Sequence, residues 1–164
     1  MAQPKTSPQI IDLHTLKQEH WTDTELQNAT LVVEFFQTLM NEHDFQSTLN
    51  RFGNTQYVQH NKAIPNGIQG LVKYVQGLVK RFPDYGFDVK RIIASGEFVV
   101  FHSHATLKAA HRGDETRGFI ITDTFRVKDG HLAEHWDAIQ PIDFATRFLF
   151  FLTGGAVGND NSIF

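Results

Sequence analysis

Two hydrophobic periods divide the chain. Behind Thr22-Asp-Thr-Glu25, which has the Ser/Thr-x-x-Glu form of a capping box, apolar Leu26, Ala29, Val32, Val33, Phe36, Leu39 and Met40 keep helical spacing, so a first helix is predicted to about Asn41. Phe45 to Phe52 reads as a second, short helix ended by Gly53-Asn54. Tyr57-Val-Gln-His-Asn61 is a short extended piece running into the turn Pro65-Asn-Gly67. From Ile68 to Phe82, Leu71, Val72, Val75, Leu78 and Val79 again share one helical face, stopped by Pro83. Beyond Pro83 the period falls to 2. Strands are predicted near residues 86–94, 98–109, 116–128 and 131–140, joined by Ser95-Gly96, by the turn that starts at Arg112, and by Lys128-Asp-Gly130. Ile142 to Leu152 predicts a terminal apolar helix with Thr153-Gly-Gly as its stop. Helices first and an antiparallel meander afterwards make the fold α+β, with the helices on one face of a single sheet that must curl to enclose a core.

Asp123 breaks this pattern. On the strand Phe119 to Lys128, Thr122, Thr124, Arg126 and Lys128 form one face, and Phe119, Ile121, Asp123, Phe125 and Val127 the other, so the carboxyl points inward. An isolated carboxylate in an apolar interior is costly. It must be paired, hydrogen-bonded or held protonated, and all three outcomes are common at catalytic sites. On the preceding strand, His102 and His104 share a face with Phe98, Val100 and Thr106, opposite Val99, Phe101, Ser103, Ala105 and Leu107. On the last strand, His131, Ala133, His135, Asp137 and Ile139 alternate with Leu132, Glu134, Trp136 and Ala138. Which set joins Asp123 depends on the turn. A two-residue Asp129-Gly130 hairpin places Asp123 opposite Trp136, whereas a three-residue turn with a bulge at Gly130 places it opposite His135. The second register is preferred, because it sets Ala133 rather than Glu134 against Phe125.

Length and composition narrow the function classes. The 164 residues suit one domain. We divide the chain into a polar arm (1–21), a body (22–141) and an apolar extension of the same domain (142–164). Fifteen Phe against three Tyr and two Trp point to a dry, aromatic-rich interior. A net charge of −3 without a basic stripe gives no footprint for nucleic acid. The absence of cysteine removes disulfides and thiolate chemistry. The start, Met-Ala-Gln-Pro-Lys-Thr-Ser-Pro, lacks a hydrophobic signal core, which makes the expected location cytoplasmic. The strongest apolar run, Phe148 to Leu152, is far below the ~20 residues that span a bilayer, so no membrane partner is expected.

The order of elements, with Gln59-His-Asn61, Asp123-x-Phe125-Arg126 and Glu134-His-Trp-Asp137-x-Ile139-Gln140, resembles the SnoaL-like group of the NTF2-like superfamily over residues 24–141. The resemblance implies a cone-shaped roll, a curved and mainly antiparallel sheet wrapped around N-terminal helices to form a pocket. It also implies chemistry without a cofactor. In SnoaL-like cyclases an inward Asp on this late strand is the general acid and base, and Asp123 matches it. In ketosteroid isomerases the matching acid stays protonated to stabilise an enolate. The separate base Asp of those isomerases is replaced here by His60 or Asn61.

The candidate catalytic residues are therefore Asp123, His102 as its proton-sharing partner, and His60. Asn61, His104, Phe125, His135, Trp136 and Asp137 are the candidate substrate contacts. The expected activity is aldol-type cyclisation or isomerisation of a small hydrophobic carbonyl compound by general acid–base catalysis. Each residue also has a plain structural explanation: an Asp tied to backbone amides or to Arg91 or Arg117, a core histidine, a loop-capping Asn. His102-x-His104 with His135 or Asp137 is a weak metal pattern, and no metal is expected. The competing function is a non-catalytic small-molecule binding or dimerisation module. Outward Trp136, Leu132 and Val99, with the apolar C-terminal helix, predict a homodimer.

Overall fold

The computed structural model describes residues 8–153 and 158–162. Four helices precede the meander: α1 (Leu13–Leu16), α2 (Asp23–Phe36, continued by a wider π turn Gln37–Asn41), α3 (Phe45–Phe52) and α4 (Gly67–Arg81). The strands are β1 (Val58–Gln59), β2 (Gly86–Ser95), β3 (Phe98–Thr106), β4 (Phe119–Lys128) and β5 (His131–Pro141), and helix α5 (Phe144–Thr153) follows. The Gly-Gly stop expected after Thr153 lies outside the described residues, as does the start of the polar arm. The arm's described part is anchored by buried Ile11, whose N–H donates to Gln37 Oε1.

The capping box forms as its spacing predicts. Glu25 N donates to the Thr22 hydroxyl, and Glu25 Oε2 accepts from Thr22 N at 2.9 Å. The other Glu25 oxygen accepts from Gly96 N at 2.9 Å, which ties the start of α2 to the β2–β3 turn. Thr22→Ala removes one side of this box. It is expected to cost about 1 kcal/mol, and about 2–4 °C in Tm, read by thermal denaturation.

The strands form one sheet in the order β1-β5-β4-β3-β2, antiparallel except for the parallel pairing of β1 with β5. It curves around α2, whose Phe35 and Phe36 enter a ring cluster with Phe87, Phe101 and Phe125. At the far end of α2, the Asn41 side chain holds both backbone groups of Phe87, accepting from its N–H at 2.8 Å and donating to its carbonyl at 3.0 Å.

The final hairpin differs from the preferred reading in where its extra residue sits. Asp129 and Gly130 both have positive φ (51° and 74°), the requirement of a two-residue type I′ turn, and Lys128 pairs with His131. The bulge lies further along β5, where Arg126 pairs with Glu134 but Val127 with Leu132, leaving Ala133 as the extra residue. That insertion shifts the alternation, so Leu132 before it and His135 and Asp137 after it all face the helices. Asp123 stands opposite Asp137 and Phe125 opposite His135, where the preferred register sets His135 against Asp123 and Ala133 against Phe125.

Candidate active site

Asp123 and His135 form a buried pair. Each is 4% exposed, and His135 Nε2 lies 3.1 Å from Asp123 Oδ1. They meet because Asp123 and Phe125 project from the concave face of β4 while the bulge turns His135 to the same side. Phe125 packs against the imidazole at 4.6 Å between ring centres, and Tyr57 stacks near-parallel at 6.3 Å. Among the described residues the second carboxyl oxygen, Asp123 Oδ2, is buried without a hydrogen-bond partner.

Burial pushes the Asp123 carboxyl up. The His135 hydrogen bond and its charge oppose this, and the cross-strand neighbour Asp137 adds to it. Asp137 is held differently: Asn61 Nδ2 donates to both of its oxygens, at 2.7 and 2.8 Å. Burial and the nearby Asp123 charge raise Tyr57 and Tyr85 well above the ordinary phenol range, so both hydroxyls keep their protons.

These groups border a cavity of ≈ 70 Å³. Asp123, His135, Asp137, Asn61, Tyr74 and Tyr85 are its polar lining residues. Phe35, Phe36, Leu39, Met40, Leu71, Val75 and Phe125 are among its apolar walls. A site of about half the ~150 Å³ that accommodates benzene suits a small molecule.

Several residues singled out from the sequence lie elsewhere. His102 does not pair with Asp123. Phe101 is the residue opposite Asp123 on β3, so the concave face carries Val99, Phe101, Ser103 and Ala105. His102 therefore projects from the convex face, where Arg91 Nη1 lies 3.1 Å from its Nδ1. His104 shares that face, with its Nε2 2.7 Å from the Arg117 carbonyl oxygen. His60 alternates away from the cavity, stacks on Trp136 at 4.3 Å and bonds Glu134 and the Ser162 carbonyl. Trp136 faces outward with it. Leu132 and Val99, expected on the outer face, are buried in the core. Asn61, Phe125, His135 and Asp137 reach the cavity.

The weak metal pattern of His102-x-His104 with His135 or Asp137 is not assembled, because His102 and His104 are on the opposite face from His135 and Asp137. Asp123, His135 and Asp137 do offer one atom each, all within 4.8 Å of one another, a spread compatible with a divalent cation. In this structure His135 Nε2 contacts Asp123 Oδ1, and Asn61 holds both oxygens of Asp137.

Gln59 was missed by the sequence reading. It is fully buried, and its Oε1 meets both Asn61 N (2.8 Å) and His135 Nδ1 (3.1 Å). The available signal was alternation: Tyr57, Gln59 and Asn61 occupy one face of an extended segment, so an inward Asp was matched by an inward amide.

The fold recurs in solved structures. A protein from Jannaschia sp. CCS1 described as a SnoaL-like polyketide cyclase superposes with a TM-score of 0.60 at 15% identity, covering 88% of this chain and 100% of the other. One from Bacillus cereus ATCC 10987 described as a polyketide cyclase gives 0.59 at 20% identity, covering 94% and 93%. A protein from Kribbella flavida DSM 17836 described as a ketosteroid isomerase gives 0.54 at 21% identity, covering 73% and 81%. At these identities the likeness establishes the fold alone. No curated protein sequence matches the chain. The model of the SnoaL-like polyketide cyclases matches residues 30–146, most of the body and the start of α5, and the chain belongs to that family of the NTF2-like superfamily.

Proposed function

We propose that the protein is a cofactor-independent acid–base enzyme that enolises a small hydrophobic carbonyl compound, leading to aldol-type condensation or isomerisation. The observation that carries this reading is the Asp123–His135 pair, with Asp123 Oδ2 unpartnered at an apolar cavity. In the state with Asp123 ionised and His135 doubly protonated, Oδ2 takes a proton from the carbon next to the carbonyl. The C–H electron pair moves into the enolate, and the pair goes from neutral to singly positive beside the new anion. Charge complementarity in a water-poor site stabilises that ion pair. The enolate then attacks a second carbonyl, whose π pair moves to oxygen and takes the proton from Asp123, or it takes that proton back at another carbon; either way the site returns to neutrality.

The cavity accommodates a compound of up to about four carbons, by comparison with the benzene-sized reference. Exchange of enolisable protons for deuterium, followed by NMR across small aldehydes, ketones and β-dicarbonyls, tests the reading. Exchange that survives chelators and exceeds buffer rates is the expected result. Saturable binding with no exchange across the set would instead support a non-catalytic ligand-binding module, and loss of exchange on chelation would reassign the three-residue cluster to a cation.

The same reading includes a homodimer. Support comes from the unusual exposure of Phe144 (83%) and Phe151 (82%) on α5, and of Ile93 and Phe98 on the sheet. Sedimentation is expected to give twice the chain mass at micromolar concentration. A Phe144→Ser/Phe151→Ser variant that sediments as the wild type would show that α5 is not the contact.

A further inference from the structure

Gln59 occupies a position whose hydrogen-bond partners leave it no choice of orientation. Its side-chain oxygen accepts from the backbone N–H of Asn61 at 2.8 Å. A backbone N–H only donates, so turning the amide over would bring two donors together in a fully buried place. The oxygen that faces Asn61 is the same atom that lies 3.1 Å from His135 Nδ1. An oxygen without a hydrogen requires one on the nitrogen, so Nδ1 carries a proton. The opposite nitrogen, Nε2, then meets Asp123 Oδ1 at 3.1 Å across a contact that needs one further proton, either on the carboxyl or on the ring.

We propose that Gln59 is a positioning residue that fixes the His135 tautomer and thereby loads the Asp123–His135 pair with one transferable proton. Without this constraint, a neutral ring with its one hydrogen on Nε2 donates that hydrogen to the Asp123 carboxylate, and the pair holds one proton fewer and a net negative charge. With it, the pair has two neutral-overall forms, acid plus imidazole or carboxylate plus imidazolium, which differ by a proton shift across 3.1 Å. Two more features place Gln59 in the site's design. Its backbone is clamped, with the N–H donating to Asn66 Oδ1 at 2.9 Å and the carbonyl accepting from Asn161 Nδ2 at 2.7 Å. Among the described residues, neither its Nε2 nor the buried Tyr57 hydroxyl has a hydrogen-bond partner. The kinetic consequence rests on the acid–base reading above; the tautomer rests on the hydrogen bonds alone.

The test is therefore spectroscopic first. Two-dimensional ¹H–¹⁵N spectra of ring-labelled histidine in the full-length protein, with His135 assigned through a His135→Gln variant, report which nitrogens are protonated. A protonated Nδ1 in the wild type is expected, and a neutral ring protonated only on Nε2 overturns the proposal whether or not any substrate has been found. Gln59→Glu keeps the accepting oxygen and should keep Nδ1 protonated. Gln59→Leu removes it, and in folded protein the ring should move to the Nε2–H form. If that variant retains the wild-type pattern, the proposal fails; if it does not fold, the wild-type and Gln59→Glu spectra decide. Where turnover has been established, Gln59→Leu should lower kcat on the order of 10²-fold, the low end for a positioned acid–base group, with KM little changed and with recovery in Gln59→Glu. Equal losses in both variants would indicate packing rather than proton placement.

Discussion

Asp123→Asn is expected to fold normally and to lose about 10²–10⁴-fold in kcat on any carbonyl compound the protein turns over, with KM near its wild-type value. The amide nearly matches the carboxyl in shape, so the Phe125 and Tyr57 packing around His135 survives, but no oxygen remains that can take a proton. Retention of turnover would remove Asp123 from the chemistry. The same substitution has a stability signature of predictable sign. In the unfolded chain the carboxyl titrates near 3.8; in the fold, burial holds its proton to higher pH, with Asp137 acting in the same direction and His135 against it. Between those two values the folded protein binds the proton that the unfolded chain has released, so this group's contribution falls as pH rises and levels off above the folded value. Asn carries no such dependence. Urea denaturation across acidic to neutral pH should show the variant gaining on the wild type as pH increases, and the opposite trend would mean that Asp123 is held as a stabilised carboxylate.

Phe36→Ala is expected to be the most destabilising change to the hydrophobic core, at about 3–5 kcal/mol. Phe36 is buried between Phe87, Phe101 and Phe125, with ring centres 4.8, 5.2 and 6.0 Å away in edge-to-face arrangements. Truncation removes all three contacts together and opens space continuous with the cavity, which Phe36 also lines. For a chain of this size the loss corresponds to a Tm lower by roughly 6–20 °C. A calorimetric shift under 3 °C would show that the neighbouring rings collapse into the gap. Small apolar ligands should recover part of the loss by filling the enlarged space, in proportion to their concentration over Kd.

The fold was readable because its signals are local. The Thr22 capping box, the Phe45–Phe52 helix and the change of period after Pro83 each depend on neighbours a few residues apart, and they reappear in the structure with small shifts at their ends. The inward direction of Asp123 was readable for the same reason. Its partner was not. Both faces of β3 mix apolar and polar residues, so alternation separates His102 from Phe101 without saying which faces the helices; only pairing with β4 decides that. On β5 the bulge at Ala133 changes the phase midway, so an uninterrupted alternation assigns Leu132 to the wrong side even where it groups His135 with Asp137 correctly. Gln59 needed still more distant information, since its role exists only once β1 lies beside β5.

That parallel pairing separates two kinds of residue along the gene. The acid and its imidazole lie twelve positions apart on one hairpin, whereas Gln59 arrives from seventy-six positions upstream of His135 on a strand of two residues flanked by Tyr57 and Asn61. Changes in that short segment can alter which nitrogen is protonated and which substrate atoms are met without disturbing the hairpin. The buried pair and the groups that orient it are thus open to mutation independently.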